Sequence, residues 1–449
     1  MRRVTLRPSK PSAGPREFSA RAPARNAGPA SEPGRFVFVA SNDEELFVVS
    51  RLRGKAVIGQ SGGPTSVINQ TLVGAVLEAR RHPEIEAIYG AVHGIRGILE
   101  ERFIDLGAES VDELELVANT PSAALGSVRK KPTRQDISRL VEVFRKHGVR
   151  YLFYIGGNDS AETANIVREL SRDEDYEIRV CHLPKTIDND LLVTDHCPGY
   201  GSAARFVALA FMGDNLDNRS LSGVKIDIVM GRHAGFLTAA SVLGRRYEDD
   251  GPHLVYVPEV SFDPDRFVDD VDRFHRKYGR CLIAVSEGIT GSDDRPIWTS
   301  GEVDSHGNVQ LSGSGGLGDY LAGLIKSRLG LSRVRADTFG YLQRCFPTVV
   351  SEVDAAEARA AGEFGVRALV EGHESGSVAF RRTGNGAEYG VELFLTDLQN
   401  VARNTRSLDA RFLAPNAPDV TTEFVEYALP LVGELPRLGR LSAQTVPVS

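Results

Sequence analysis

Two hydrophobic runs, each followed at once by a polar loop, constrain the fold of this chain more than any other feature. Residues 151–155 lead into Gly-Gly-Asn-Asp-Ser and a helix-like pattern, and residues 178–183 lead into Pro-Lys-Thr-Ile-Asp-Asn-Asp. Neighbouring strands of a parallel sheet place such loops side by side at their carboxyl ends, where α/β proteins bind ligands. A glycine loop at a helix start offers N–H groups to phosphate, and the second loop offers a cation and two carboxylates. The pair of loops indicates phosphoryl transfer.

The same alternation of strand and helix patterns continues on both sides of this stretch and predicts an α/β fold. A glycine loop at 60–66 precedes the first predicted helix, for which Ser66 is the candidate N-cap. The loop matches neither GxGxxG nor a Walker lysine loop, so a phosphate cradle and a simple tight turn are equally open. Beyond residue 381 the chain is poorly patterned. The strands are predicted at 55–59, 85–92, 151–155, 178–183, 225–229, 254–257, 281–285 and 377–381, and the helices at 136–147, 203–217, 236–243, 265–278, 317–329 and 352–361.

Composition places the chain among globular proteins and argues against several partners. It has 449 residues, 41% of them hydrophobic and 25% charged, which is ordinary for a globular protein of two domains. No apolar run is long enough to span a bilayer. The formal net charge of −7 argues against nucleic-acid binding, which needs a basic face, but it leaves room for a local basic pocket. We therefore expect neither a nucleic-acid nor a membrane partner.

Cysteine usage and the start of the chain bear on the compartment. Cys181, Cys197, Cys281 and Cys345 form no CxxC pair, so free thiols and a reducing cytoplasm are expected. The first 35 residues are rich in Pro, Ala, Ser and Arg and have no apolar segment of the kind that a secretory signal needs. A disordered tail, or a start codon assigned too early, explains this composition.

Several single residues have more than one interpretation. Arg129 follows small residues and opens three consecutive cations, so a phosphate contact and a solvated face are equally open. His196 beside Asp195 suits a metal site or a catalytic pair, but a structural histidine is favoured because no third ligand stands at a fixed spacing. Arg232 and Glu287 each follow a predicted strand, where α/β proteins place ligand contacts.

Four short motifs, PKTIDND, MGRHAG, SEG and FGYLQR, occur in this order and resemble the 6-phosphofructokinase family across residues 52–410. The resemblance implies an α/β fold with two similar lobes, mainly parallel sheets flanked by helices, and an active site in the cleft between the lobes. Composition predicts a basic, disordered tail at 1–50. The resemblance implies a phosphoryl-donor lobe at 52–200 with part of 345–400, and a sugar-phosphate lobe at 201–344 with part of 401–449.

The resemblance implies roles in binding the sugar phosphate. Asp188 matches the base that takes the proton from the sugar 1-hydroxyl, Glu287 the carboxylate on the sugar hydroxyls, and Arg344 the arginine on the 6-phosphate. Arg335 matches an arginine that reaches the neighbouring subunit's site, which implies a homodimer or homotetramer. Tyr341 stands where many relatives have histidine. The expected substrate-binding residues are Thr186, Ile187, Asp188, Met230, Gly231, Arg232, Glu287, Arg335, Tyr341, Leu342, Gln343 and Arg344.

The resemblance also implies a donor site and a Mg²⁺ site. Asn158 and Asp190 match the residues close to the magnesium, although Asn158 replaces the usual acidic residue and brings no charge. Gly223 stands where ATP-using bacterial relatives have a second cross-subunit arginine, with Lys225 nearby. The expected pyrophosphate-binding residues are Gly62, Gly63, Arg129, Gly157 and Lys185.

Two residues bear on the identity of the phosphoryl donor. ATP-using relatives read GGDG and have a glycine just before TIDND, whereas this chain has Asp159 and Lys185 there. Asp159 would place negative charge where the ATP α-phosphate must pass, and Lys185 would bind pyrophosphate. The alternatives are an acidic residue that caps a helix and a lysine that extends to solvent. Together the two residues match the pyrophosphate-dependent branch, and we expect Asp188, Lys185 and Asp159 to be catalytic.

The predicted activity is therefore the transfer of a phosphoryl group from pyrophosphate to the 1-hydroxyl of fructose 6-phosphate. The products are fructose 1,6-bisphosphate and phosphate, and the reaction is expected to be reversible, to need Mg²⁺ and to serve glycolysis or gluconeogenesis. The alternatives within the family are ATP as donor and sedoheptulose 7-phosphate as a further acceptor. An alternative from another class is a nucleotide kinase of the kind that phosphorylates NAD, but such an enzyme would lack TIDND and MGR. A metabolite sensor without turnover is disfavoured because Asp188, Arg232, Glu287 and Arg344 are all present.

Overall fold

The computed structural model describes residues 37–38, 52–129, 132–299 and 315–441. The predicted tail therefore lies outside the described residues, except for Val37–Phe38, which form a short strand where a disordered tail was expected. The strands are β1 (Val37–Phe38), β2 (Gly54–Gln60), β3 (Ile85–Ala91), β4 (Phe103–Asp105), β5 (Val149–Gly156), β6 (Arg179–Pro184), β7 (Gly223–Val229), β8 (Leu254–Tyr256), β9 (Arg280–Ser286), β10 (Val334–Thr338), β11 (Gly376–Arg382) and β12 (Val391–Thr396).

Helices connect most of these strands. The α-helices are α1 (Ile68–Ala79), α2 (Gly94–Leu99), α3 (Val111–Ala118), α4 (Arg134–His147), α5 (Asn158–Asp173), α6 (Tyr200–Leu221), α7 (Phe236–Ala239), α8 (Pro264–Tyr278), α9 (Gly316–Leu329), α10 (Glu352–Val370) and α11 (Thr422–Val432). Short 3₁₀ turns lie at Ala240–Gly244, Gly340–Arg344, Gly386–Glu388, Leu398–Asn400 and Ala410–Phe412. In the described parts of the chain, no helix is both long and apolar enough to cross a membrane.

Two mainly parallel sheets organise the described residues, as the sequence predicts. The larger sheet has the order β1-β12-β11-β6-β5-β2-β3-β4, and the smaller has the order β10-β7-β9-β8. Only the β3–β4 and β11–β12 pairs among these strands are antiparallel. The smaller sheet comes from residues 223–338, whereas the larger takes its strands from both sides of that range. The chain thus leaves the larger sheet, builds the smaller one and returns.

Strand β5 is covered on both faces, which explains its unbroken hydrophobic run. Tyr151, Phe153 and Ile155 pack into a core with α1 and α10, while Leu152 and Tyr154 pack into a second core with α4 and α5. Strands buried on both faces are typical of parallel sheets with helices on each side. The two faces of the smaller sheet pack into two further cores.

Local signals set the ends of several helices. A capping box between Thr133 and Asp136 begins α4, and Gly148, with a φ of 69°, ends it as predicted. Asp263 caps α8 ahead of Pro264. The prediction that Ser66 caps α1 is wrong, because α1 begins at Ile68 without a side-chain cap and the Ser66 hydroxyl donates to the carbonyl oxygen of Arg344 at 3.2 Å.

Helix α10 is longer than the predicted 352–361 because its later glycines serve packing instead of ending the helix. A Cβ at Gly362 would overlap the Thr71 carbonyl oxygen of α1, and a Cβ at Gly365 would lie 2.6 Å from the Leu183 side chain. The absence of side chains at these two positions lets α10 lie directly on α1 and on the larger sheet. Strand β12 and helix α11 also form in the poorly patterned end of the sequence.

Candidate active site

The loop at 156–160, after β5, and the loop at 184–190, after β6, lie side by side, as predicted. Strands β5 and β6 are parallel neighbours with Gly156 opposite Pro184, and the Lys185 N–H donates to the Gly156 carbonyl oxygen at 2.9 Å. Gly157 and Asn158 therefore begin α5 beside the loop that carries Asp188 and Asp190. The site is built at the carboxyl edge of the larger sheet.

Lys185 points into the protein, so the alternative of a lysine extended to solvent is wrong. Its side chain is buried, and its ammonium donates to the Gly63 carbonyl oxygen at 2.7 Å. A Cβ at Gly62 would lie 3.2 Å from the ammonium. Burial, together with the nearby positive charge of Arg344, lowers the pKa of Lys185 to about 8.

The first glycine loop is fixed by the segment that precedes Arg129. The Gly62 N–H donates to the Val128 carbonyl oxygen at 3.3 Å, and the Ser127 hydroxyl donates to the Gly62 carbonyl oxygen at 2.5 Å. The Gly62 N–H is therefore already bonded, and this residue contributes space more than a phosphate-binding donor. Arg129 is exposed and close enough to lower the pKa of Lys185. These contacts place the loop and Arg129 around the Lys185 ammonium.

Asp188 and Asp190 form a pair of half-buried carboxyl groups organised by Thr186. The Thr186 hydroxyl accepts from the Asp188 N–H at 3.1 Å and donates to the Asp190 carboxylate at 3.2 Å. Burial and the Asp188 charge raise the pKa of Asp190 to about 6. Burial also raises the pKa of Asp188, against the opposing effect of the cations Arg344, Lys185 and Arg232. Asp188 therefore lies where three cations converge.

Loops at the carboxyl edge of the smaller sheet supply the other side of the site. Met230, Gly231 and Arg232 follow β7, and the buried Glu287 follows β9. The Arg232 Nε is buried and has no hydrogen-bond partner among the described residues. A buried guanidinium nitrogen without a partner is costly, and a phosphate oxygen would satisfy it.

The turn after β10 completes this side. The Arg344 guanidinium carbon lies 4.7 Å from the centre of the Tyr341 ring, and a Cβ at Gly63 would lie 3.2 Å from that same carbon. Gln343 is buried, accepts from the Met230 N–H at 3.3 Å and donates to the Gly340 carbonyl oxygen at 2.9 Å. Gln343 thus positions two backbone segments, and its direct contact with substrate stays a prediction.

The remaining predicted residues differ in their exposure and in their position relative to Asp188. Arg335 pairs in register with Lys225, five residues before Met230, which corresponds to about 16 Å along the strand. Asp159, Tyr341 and Leu342 are exposed, while Ile187 is buried in a hydrophobic core. Arg335 therefore does not reach the site of its own chain.

Lys225, near the position of the missing cross-subunit arginine, is held by three aspartates of its own chain. Its ammonium lies 2.5 Å from Asp337 and 3.4 Å from Asp214, and the buried Asp227 carboxylate is 3.8 Å away. These three carboxylates are close enough together to hold a metal ion, and the Lys225 ammonium already lies among them and balances one negative charge. Lys225 is consequently held among these aspartates and is not directed to Asp188.

Asn158 and Asp190 carry the kind of oxygen atoms that a magnesium ion prefers. Magnesium prefers hard oxygen ligands and is usually held by one or two carboxylates together with substrate phosphates. Asp190 offers a carboxylate whose pKa is raised by burial and by the Asp188 charge, and a divalent cation would favour the ionised form of both groups. The amide oxygen of Asn158, at the start of α5, is an oxygen ligand without charge.

Sequence patterns did not reveal several residues that support the site. Ser66 bonds the Arg344 backbone, and His233 is close enough to Asp188 to affect its pKa. Arg406, from the poorly patterned end of the chain, bonds the backbone around Asp190. A histidine in the MGRHAG motif was a visible signal, but Arg406 carries no local signal because its partners lie more than 200 positions away.

This chain is similar to known proteins in both sequence and structure. The family described as Phosphofructokinase matches residues 55–369. A pyrophosphate–fructose 6-phosphate 1-phosphotransferase of Rhodospirillum rubrum is 54% identical, covering 85% of this chain and 95% of the relative. One of the same name from Methylococcus capsulatus is 38% identical, covering 84% and 91%. The crystal structure of a pyrophosphate-dependent phosphofructokinase from Nitrosospira multiformis has a TM-score of 0.77 at 35% identity, covering 87% of this chain and 94% of the other.

Proposed function

The chain belongs to the phosphofructokinase family, and from that membership we propose that it transfers a phosphoryl group from pyrophosphate to the 1-hydroxyl of fructose 6-phosphate. The products are fructose 1,6-bisphosphate and phosphate. The observation that carries this proposal is the convergence of Lys185, Arg232 and Arg344 on Asp188. It supplies a base and separate cations for two phosphate groups at one point, and relatives of this chain are named for the same reaction.

In the proposed mechanism, Asp188 accepts the proton of the sugar 1-hydroxyl as that oxygen attacks one phosphorus of pyrophosphate. The bond from this phosphorus to the bridging oxygen breaks, and the other phosphate leaves with that oxygen. Burial raises the pKa of Asp188, which makes its carboxylate a stronger base than an exposed aspartate. Arg344 and Arg232 bind the 6-phosphate, because the guanidinium fork matches phosphate oxygens. Glu287 accepts hydrogen bonds from the sugar hydroxyls.

The donor side follows from Lys185 and the loops around it. Its ammonium, with Arg129, stabilises the negative charge of pyrophosphate, and Gly63 and Gly157 keep the backbone close to the phosphates. Asp190 and Asn158 would hold Mg²⁺, which when bound offsets charge on the phosphate oxygens. Asp159 at the start of α5 disfavours a nucleotide α-phosphate by its charge, so pyrophosphate is the proposed donor.

We also propose a setting for this reaction. The two sheets are the basis for a donor lobe at 52–200 with part of 345–400 and a sugar-phosphate lobe at 201–344 with part of 401–449. The distance of Arg335 from its own site supports a homodimer or homotetramer in which it serves a neighbour. The family's chemistry supports a cytoplasmic role in glycolysis or gluconeogenesis.

Initial rates test the proposal directly. Wild type is assayed with fructose 6-phosphate and Mg²⁺ and either pyrophosphate or ATP, beside the double variant Asp159→Gly/Lys185→Gly. We expect wild type to turn over fructose 6-phosphate with pyrophosphate and not with ATP. We expect the double variant to lose the turnover with pyrophosphate. Turnover with ATP alone would overturn the donor assignment, and turnover with sedoheptulose 7-phosphate in place of fructose 6-phosphate would widen the acceptor range. Absence of turnover with every pair would refute the proposed reaction.

A further inference from the structure

Asp188 and Asp190 lie on a segment, residues 186–199, that forms neither helix nor strand. Two isolated bridges, Thr186 with Gly199 and Leu191 with Thr405, are its contacts of β type. Asn189 and Val193 have φ values of 57° and 69°, in the left-handed region that residues other than glycine seldom adopt. Such a conformation persists only where the surrounding structure imposes it.

Arg406 makes the contacts that impose this conformation. Its Nε donates to the Asn189 carbonyl oxygen at 2.8 Å, and its two terminal nitrogens donate to the Thr194 and Asp195 carbonyl oxygens at 2.9 and 2.7 Å. Its own N–H donates to the Asp190 carbonyl oxygen at 2.8 Å. Within the described chain, every side-chain hydrogen bond of Arg406 goes to a backbone carbonyl of this one segment.

A second layer of contacts fixes Arg406 and its segment against the sugar-binding side. The Arg406 guanidinium carbon lies 5.0 Å from the centre of the Phe236 ring, and Phe236 begins α7 directly after the MGRHAG loop. The Tyr427 hydroxyl accepts from Asn189 Nδ2 at 2.8 Å and donates to the Asp195 carbonyl oxygen at 2.9 Å. Arg406 therefore joins the loop of Asp188 to the loop of Arg232.

We propose that Arg406 is a positioning residue that sets the distance between the Asp188 carboxylate and the sugar 1-hydroxyl. The proposal rests on the proposed function. All side-chain hydrogen bonds of Arg406 go to the backbone of the segment that carries Asp188, whereas its contact toward the Arg232 loop is the single ring contact with Phe236, and Arg344 lies on another loop. Loss of Arg406 consequently affects proton transfer more than sugar-phosphate binding, and a displacement of about 1 Å at a reacting group is enough to lower a rate about 100-fold.

The test compares Arg406→Ala and Arg406→Lys with the control Arg403→Ala. Arg403 lies three residues before Arg406 in the chain, but its side chain is exposed and pairs with Glu162 at 2.8 Å. For Arg406→Ala we expect kcat to fall about 100-fold, with KM for fructose 6-phosphate within about threefold of wild type. Arg406→Lys keeps the charge and part of the hydrogen bonding, so it should recover about tenfold of that loss. Arg403→Ala should retain the wild-type kcat.

Amide hydrogen exchange of residues 186–199 is measured on the same proteins. Faster exchange confined to this segment in Arg406→Ala, with the fall in kcat, supports the proposal. A wild-type kcat, or a fall that appears wholly in KM, would overturn it. If Arg406→Ala does not fold, the same comparison is made with Arg406→Lys. A fall in kcat with little change in KM supports the proposal, and a fall that appears wholly in KM contradicts it. If wild type proves to use ATP, the proposed donor fails, and the same ratios measured with ATP decide the role of Arg406.

Discussion

At the scale of single residues, the site depends on placing cations close together. Lys185 is buried, lies within the influence of Arg344 and Arg129, and has a pKa of about 8 as a result. The usual pKa of a lysine is near 10.4, so this ammonium begins to lose its charge at moderately alkaline pH. Asp188 has the opposite shift, upward, because burial outweighs its cationic neighbours.

Lys185 should give the binding of pyrophosphate an alkaline limit. Its lowered pKa means that it is charged below pH 8 and becomes neutral as the pH rises through about 8, so KM for pyrophosphate should rise across that range. In Lys185→Met we expect KM to be raised at least tenfold at pH 7 and to lack this rise. KM is measured from pH 6.5 to 9 at saturating Mg²⁺, with the exposed Lys326→Met as control. Parallel profiles for wild type and Lys185→Met would contradict the assignment.

Asp188→Asn tests the base without changing the size of the side chain. A positioned general base contributes about 10²–10⁴-fold, and we expect kcat to fall by that factor while KM for both substrates changes little. Single-turnover rates with pyrophosphate measure the chemical step. Asp269→Asn, on the exposed side of α8, is the matched control. If Asp188→Asn keeps more than a tenth of the wild-type rate, a group other than Asp188 accepts the proton of the sugar 1-hydroxyl.

At the scale of elements, the sequence predicts strands and loops well where periodicity and glycine signals are local. The runs at 151–155 and 178–183 became β5 and β6 in neighbouring positions, so the meeting of the Gly157 loop with the Lys185 loop was predictable from the sequence. The full length of α10 was not, because Gly362 resembles a helix end unless its contact with α1 is known. The role of Arg406 could not be predicted either, because the carbonyl groups that it binds are far away in the chain.

The packing of α10 on α1 can be tested at Gly362. A methyl group there would overlap the Thr71 carbonyl oxygen, so we expect Gly362→Ala to lower the free energy of unfolding by about 1–3 kcal/mol. Gly213 in α6 has no neighbour within 4 Å of a Cβ, and Gly213→Ala should raise stability by about 0.5–1 kcal/mol. Urea unfolding of both variants gives the comparison. Similar effects at the two positions would contradict the close approach of the two helices.

At the scale of the whole molecule, the site is assembled from sequence ranges that return to one place. The larger sheet is interrupted by the smaller one, and the chain then comes back to it through β11 and β12. The base and the proposed 6-phosphate arginines therefore come from different sheets. Only the complete fold brings Asp188 and Arg344 together, while Arg335, on an edge strand of the smaller sheet, remains directed elsewhere.

Hybrid oligomers test the proposal that Arg335 contributes to the active site of a neighbouring subunit. Arg335→Ala and Asp188→Asn are each expected to be inactive, and co-expression should restore about a quarter of the wild-type activity. Half of randomly formed dimers are hybrids, and one of the two sites in each hybrid receives an intact Asp188 and an intact Arg335. Activity is measured on purified mixed oligomers, with separately purified variants as the reference. No recovery in verified hybrids would place Arg335 outside the neighbour's site.

The contact between the first glycine loop and Arg344 has a thermodynamic consequence. Gly63 packs against the Arg344 guanidinium, and the Ser66 hydroxyl donates to the Arg344 carbonyl oxygen, so the glycine loop on the proposed donor side directly contacts the arginine proposed to bind the sugar phosphate. We therefore expect a ligand that orders one of them to favour the ordered state of the other. By reciprocity, the factor by which pyrophosphate changes the affinity for the sugar phosphate equals the factor by which the sugar phosphate changes the affinity for pyrophosphate. We therefore expect the affinities for the proposed donor and for the proposed acceptor to be coupled in this protein.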